Sequence, residues 1–245
     1  MEPQGHAVAP SRKVPVKQSS SGDVAAFLKK AAGTPMRAPD GKNGRLVFAM
    51  DATASRGPSW AQAMSIQTEM FQEAASVGGL DVQLVYYRGL MDFGASPWLG
   101  DADRVVNLMR SVNVLGGPTQ IERVLKHVVA ESKRGKVNAV VFIGDAVEEL
   151  PDQIMVAAGE LGLRGVPVFV FHEGGLEPAG SVFRQIAQLT RGAYSSFDAN
   201  SPQQLRDLLK AVAVFAVGGR KALESYGRKA GDAIQRLTHQ LSGKA

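Results

Sequence analysis

The sequence predicts an α/β protein: a doubly wound, mainly parallel central sheet flanked by helices, with helical extensions at both ends. Three observations predict it. Short apolar runs alternate with segments whose apolar residues recur every three or four positions. The runs Arg45–Met50, Ala139–Ile143 and Val166–Phe171 are apolar at successive positions, as strands covered on both faces require. Helical periods rather than tight turns separate most of these runs, so the connections are crossovers.

Taken in order, residues 1–22 are rich in Pro, Ser, Gly and Lys, a composition that does not build a core. Asp23 is placed to cap a short helix through Ala25, Phe27 and Leu28, stopped by Gly33. Residues 34–44 read as a linker, so 1–44 form a basic, largely disordered tail with one short helix. Arg45–Met50 is a buried strand ended by Asp51. Ser59 heads a helix carrying Ala63, Ile66, Met70 and Phe71, which closes at Gly78-Gly79. Asp81–Tyr87 is a second strand, and the turn-rich stretch with Met91, Phe93 and Trp98 holds a short edge strand. Asp101–Ser111 and Ile121–Val129 are helices, and Ala139–Ile143 is a strand.

Pro151 suits the first turn of a helix reaching Leu163. Val166–Phe171 is a strand in which Pro167 is tolerable at the beginning. Ser181–Leu189 is a helix and Ala193–Phe197 a strand. A helix from Ser201-Pro202 through Leu205, Leu208, Leu209 and Val212 stops at Gly218-Gly219, which bounds the α/β domain at 45–217. In 218–245, Leu223, Tyr226, Ala230, Ile234, Leu237 and Leu241 line one side of a basic amphipathic helix. Gly227 and Gly231 make it marginal alone, so it packs back on the domain or docks on a partner protein; membrane-surface binding is disfavoured, since its apolar face has no large aromatic beyond Tyr226.

Composition narrows the function. Among 245 residues there is no cysteine, which removes disulfide scaffolds, Fe–S clusters and thiolate zinc sites. No apolar run approaches the ~20 residues of a membrane span, and none follows Arg12, Lys13 and Lys17 as a secretory signal would require, so a cytoplasmic location is expected. The net charge of +5 hides a division. Residues 1–45 hold eight Lys/Arg against three Asp/Glu, and 218–245 hold six against two, whereas 46–217 hold fourteen against eighteen. An acidic domain therefore carries two basic ends, which are solvated tails or contacts for an acidic partner.

In doubly wound sheets the site lies at the carboxyl ends of the strands. The first strand runs into Asp51-Ala52-Thr53-Ala54-Ser55, three oxygen-bearing side chains at alternate positions. The strand through Ile143 runs into Gly144-Asp145, and between them Gly116-Gly117-Pro118-Thr119 puts a hydroxyl at the start of a helix. If the three loops lie on one edge, two carboxylates and three hydroxyls face one another, an all-oxygen set that suits Mg²⁺ (or Mn²⁺), which keeps several waters and needs few carboxylates. Each residue also has a plain reading. Asp51 and Asp145 can simply shape loops, Thr53 and Ser55 can be loop hydroxyls, and Thr119 with Glu122 fits a capping box.

Asp51-x-Thr53-x-Ser55, a later Thr119 after Gly116-Gly117 and a later Asp145 resemble the von Willebrand factor type A (VWA) domain family, and its intracellular bacterial members in particular. The resemblance covers roughly residues 45–217. It implies that these five residues form a metal-ion-dependent adhesion site (MIDAS). Ser55 and Thr119 would coordinate directly, Asp51, Thr53 and Asp145 would coordinate or orient waters, and a partner protein's Asp or Glu carboxylate would complete the shell. The chain would then be a metal-dependent protein-binding domain and not an enzyme. Departures are Thr53 where Ser is commoner, and Gly144 and Ala146 around Asp145. Glu148 and Glu149 add negative charge beside the site.

Two alternatives remain. A Mg²⁺-dependent phosphohydrolase of haloacid dehalogenase type also starts from an Asp after the first strand, but Thr53 stands where its proton-transferring Asp belongs. The other is a VWA-like scaffold with no occupied metal site. Nucleotide loops are missing, and His172-Glu173, following a strand, has Leu176 where a zinc protease motif needs its second His. His127 and His239 read as packing or solvated residues. Trp60, Trp98, Tyr86 and Tyr87 read as core or rim rather than a base-stacking platform, so nucleic acid is not the expected partner.

Overall fold

A computed structural model describes residues 43–57, 79–197 and 202–229. The sequence-predicted helices near Phe27 and from Ser59, and the chain beyond Lys229, lie outside the described residues. Six strands form one sheet: β1 (Gly44–Asp51), β2 (Leu80–Arg88), β3 (Asp92–Ala95), β4 (Ala139–Gly144), β5 (Val168–Glu173) and β6 (Ala193–Phe197). Their spatial order is β3-β2-β1-β4-β5-β6, all parallel except the antiparallel edge strand β3. The helices are α1 (Ala102–Ser111), α2 (Ile121–Arg134), α3 (Pro151–Leu163), α4 (Ala179–Leu189) and α5 (Pro202–Lys229).

Alternation along the strands divides the core into two layers. Leu46, Phe48 and Met50 of β1 face Val105, Val106 and Met109 of α1 and Leu205, Leu208, Leu209, Val212 and Phe215 of α5. Val47 and Ala49 face the other side, where Val124, Leu125 and Val128 of α2, Ile154 and Leu161 of α3 and Phe183 of α4 pack. Both faces are covered, as the continuous apolar runs require.

Several boundaries differ from the sequence reading. β5 begins at Val168, leaving Val166 and Pro167 before it, and continues through His172 and Glu173. His172 therefore lies within the strand rather than after it, fully buried, with its Nε2–H donating to the Asp145 carbonyl and Nδ1 accepting from the Tyr194 hydroxyl. Helix α2 runs on to Arg134 because Glu131, though charged, is buried and held by Trp98 Nε1 and Arg134. Trp98 is thereby a rim residue, with the Arg45 guanidinium 3.8 Å above its ring. The predicted stop at Gly218-Gly219 is a break within α5: Gly219 takes φ 66°, which favours glycine, and helix resumes beyond it. Among the described residues no helix is long and apolar enough to cross a membrane.

Candidate functional site

The strand order sets where a site forms. From β1 the chain builds outward to β2 and β3, then returns to build β4, β5 and β6 on the other side. The crevice at the carboxyl ends of β1 and β4 is the topological switch point. Met50 of β1 registers with Ile143 of β4, so Asp51 and Gly144-Asp145 leave neighbouring parallel strands side by side. A Cβ on Gly144 would lie 3.6 Å from the Asp51 Cβ.

Asp51 is fully buried. One carboxylate oxygen accepts the Thr53 N–H at 2.8 Å and the other accepts the Tyr87 hydroxyl at 2.8 Å. Burial drives its pKa upward; those hydrogen bonds oppose the shift, and the nearby Asp145 charge adds to it. Tyr87, buried on the same sheet face, has its own pKa pushed well up, first by burial and then by the Asp51 charge. Beyond Asp51 the chain makes a 3₁₀ turn over Ala54–Arg56, in which the Thr53 and Ser55 hydroxyl oxygens come within 3.1 Å. Thr53 is buried and Ser55 is exposed, so the pair forms a short hydroxyl ladder from the interior to the surface.

The loop preceding α2 is fastened to this turn by its backbone. Leu115 N–H donates to the Ala52 carbonyl and Gly89 N–H to the Leu115 carbonyl, both at 3.0 Å. Gly117 passes so close to Gly89 that any side chain there would run into the Gly89 carbonyl. This brings Thr119, buried, to the same edge. Its hydroxyl accepts the Glu148 N–H at 2.9 Å, and its own N–H donates to the Glu148 carboxylate at 3.1 Å.

The capping-box reading of Thr119 is therefore corrected. Gln120 is the N-cap of α2, with no side-chain cap bond. The first helical N–H groups, of Ile121 and Glu122, are taken by the Glu149 carboxylate at 2.5 and 2.8 Å. A carboxylate from another loop does better there than a local hydroxyl, since it meets two orphan donors and the positive helix end at once. Glu148 and Glu149, read in sequence only as added charge, join the two loops.

Asp145 follows β4, half-buried, and its Oδ1 is buried with no hydrogen-bond partner. The three loops thus gather all five predicted residues at one edge. Among the described residues no three His, Asp or Glu side chains cluster as a metal centre, so any cation here depends on hydroxyls as well as carboxylates. Sequence reasoning missed Tyr87 and Arg56. Tyr87 was legible only as an aromatic within a strand. The Arg56 guanidinium is fully buried, pairing through Nε with Glu173 at 2.9 Å and donating to the Asp51 carbonyl at 3.2 Å.

No family model matches the chain, and no curated protein matches it in sequence. Solved structures do. A von Willebrand factor type A protein from Catenulispora acidiphila is 16% identical with TM-score 0.59, covering 71% of this chain and 43% of its own. The SpRpn10 VWA domain is 14% identical with TM-score 0.52, covering 68% of this chain and 94% of its own. The fold is that of von Willebrand factor type A domains. A third structure with the VWA fold, proximal thread matrix protein 1 from the mussel byssus, with a zinc-occupied MIDAS motif, is 14% identical at TM-score 0.54, over 70% of this chain and 46% of that one. The chain spans under half the length of the first and third of these proteins.

Proposed function

We propose that this VWA-fold chain is a protein-binding domain that holds a divalent cation, Mg²⁺ or Mn²⁺, through Asp51, Thr53, Ser55, Thr119 and Asp145. The observation that carries the reading is the buried Asp145 Oδ1, which has no hydrogen-bond partner, near the buried carboxylate of Asp51. A buried charged acceptor without a partner is costly unless something cationic meets it. Two carboxylates roughly neutralise a divalent ion, and the Thr53–Ser55 hydroxyl ladder and Thr119 supply the remaining hard oxygens. When bound, the cation would offer an open position to an oxygen anion, and a partner's Asp or Glu carboxylate fits it.

Apolar side chains around these loops support a protein partner over a small anion. Leu90 and Met91 are 77% and 78% exposed, Leu115 53% and Leu150 68%, all in loops at the carboxyl edge. The phosphohydrolase alternative is weakened because Thr53 stands where that chemistry needs a proton-transferring Asp. Calorimetric titration with Mn²⁺ tests the reading: the wild-type chain binds one ion, and Asp51→Asn and Asp145→Asn do not. Pull-downs with and without chelator then test partner capture. Turnover of a generic phosphomonoester that Asp51→Asn abolishes would overturn it in favour of the enzyme.

A further inference from the structure

We infer that Arg56 and Glu173 are a positioning pair: their buried ion pair clamps the 51–56 loop to the end of β5 and cancels, beside the cation site, a fixed positive charge that would oppose the cation. The inference rests on the metal reading above. Arg56 is the largest fully buried side chain described, and arginine is almost never buried unless paired. Its Nε donates to Glu173 at 2.9 Å, its Nη1 to the Asp51 carbonyl at 3.2 Å, and its backbone N–H to the Thr53 carbonyl at 3.2 Å. One residue therefore grips the first and third positions of the stretch that carries three of the five oxygen residues.

The anchor is not on a neighbouring strand. β5 is separated from β1 by β4, the strand that Asp145 follows. The residue before Glu173, His172, donates to the Asp145 carbonyl at 3.2 Å. Consecutive residues at the end of β5 thus hold the two carboxylate-bearing loops, one through an ion pair and one through an imidazole. His172-Glu173, which makes no zinc motif, acquires a role this way.

Charge gives the pair a second function. The guanidinium is a planar cation whose geometry matches a carboxylate. Paired with Glu173 it presents no net charge to the loop; without the Glu173 carboxylate that compensation is lost, and the guanidinium charge opposes a divalent ion held by Asp51. Loss of Glu173 therefore acts on cation affinity in two ways, by loosening the loop and by exposing the positive charge. A purely structural residue would act in the first way only.

The test is Mn²⁺ titration of the wild-type chain, Glu173→Gln and the double variant Arg56→Gln/Glu173→Gln, with melting curves for each. Removing a group that orients a ligand typically weakens metal binding 10- to 100-fold. Glu173→Gln is expected to bind about tenfold more weakly, and the double variant to regain at least half of that loss on a logarithmic scale. Wild-type affinity in Glu173→Gln overturns the inference. So does equal weakening of both variants, because discharging Arg56 then changes nothing. Where Glu173→Gln fails to fold, Glu173→Asp decides: it keeps the charge but falls one methylene short, so several-fold weaker binding supports the clamp and unchanged binding overturns it. A wild-type chain that binds no Mn²⁺ overturns the metal reading itself, and the clamp with it.

Discussion

Replacing Thr119 by valine separates its two possible contributions. Valine keeps the branched shape in a buried position and removes only the hydroxyl. In the structure that hydroxyl accepts one bond, from the Glu148 N–H at 2.9 Å, and none from helix α2. A net hydrogen bond is worth about 1 kcal/mol, and for a chain of this size 1 kcal/mol moves the melting temperature by roughly 2–4 °C. Thr119→Val should therefore melt about 2–4 °C lower. The place of the loss is as informative as its size. Amide exchange should speed up at Glu148 and stay slow at Ile121 and Glu122, whose N–H groups belong to Glu149. Fraying of the start of α2 in Thr119→Val would restore the capping reading and refute the structural argument.

The same variant reads the site. If Thr119 contributes an oxygen to the cation, Mn²⁺ affinity should fall at least tenfold in Thr119→Val and stay near wild type in Thr119→Ser. Calorimetry at fixed pH and salt measures both. Unchanged affinity in Thr119→Val, with the expected small loss of stability, would remove Thr119 and the Gly116-Gly117 loop from the site.

Chelation should shift the melting temperature by a few degrees at most: a site occupied at one to ten times its dissociation constant stabilises by about 0.4–1.4 kcal/mol, while partner capture should vanish. Global unfolding on adding chelator would contradict this. Asp51 has a raised pKa, so its protonated form is favoured in the fold, and that stability is lost as pH rises through the raised value. At neutral pH Asp51→Asn should thus melt no lower than the cation-free wild type while losing cation binding. Burial lowers the pKa of His127 and His172, so both are neutral in the fold, and their contribution is full above the unfolded value of about 6.5 and lost as pH falls. The melting temperature should drop between pH 7 and 5, and His127→Gln should flatten part of that slope. Deleting 220–245 should leave Mn²⁺ affinity within about twofold, whereas deleting from Pro202 should abolish folding. The latter strips Leu205, Leu208, Leu209, Val212 and Phe215 from the core, each worth about 1.5–3 kcal/mol, against a total stability of about 5–15 kcal/mol.

The α/β layering was legible because β1, β4 and β5 are buried on both faces, and a doubly buried strand has to be apolar at every position. The edge strand was legible only as a turn-rich stretch, since Asp92–Ala95 meets solvent and its pairing with β2 is a backbone matter. The five oxygen residues could be found because each follows a strand or precedes a helix, and strand ends are fixed by where apolar runs stop. What holds those residues could not. The Arg56–Glu173 pair spans 117 residues and Thr119–Glu148 spans 29, and neither distance has a periodicity to betray it. Glu149 acting as the cap of α2 is invisible for the same reason: a sequence pattern credits a helix start with its nearest hydroxyl, while the fold supplies a carboxylate from another loop.

These long-range contacts close on one another. The Ala52 carbonyl ties the first loop to Leu115 of the second, Thr119 and Glu148 tie the second to the third, and His172 ties the third to β5. Arg56 and Glu173 then return from β5 to the first loop. A ring of this kind fixes the loops before any ligand arrives, so little loop ordering is left to oppose binding. Two of its acidic groups keep a residual cost: the Asp145 Oδ1 has no hydrogen-bond partner, and burial disfavours the charge of Asp51 even though both its oxygens accept hydrogen bonds. Both are relieved by the same thing, positive charge placed between them. A neutral hydrogen-bond donor would serve the first but not the second. On the metal reading, that is why the ring is built from contacts that leave Ser55 exposed and bring Asp51 and Asp145 to neighbouring strand ends, and why its affinity should depend on residues such as Glu173 that supply no oxygen to the ion.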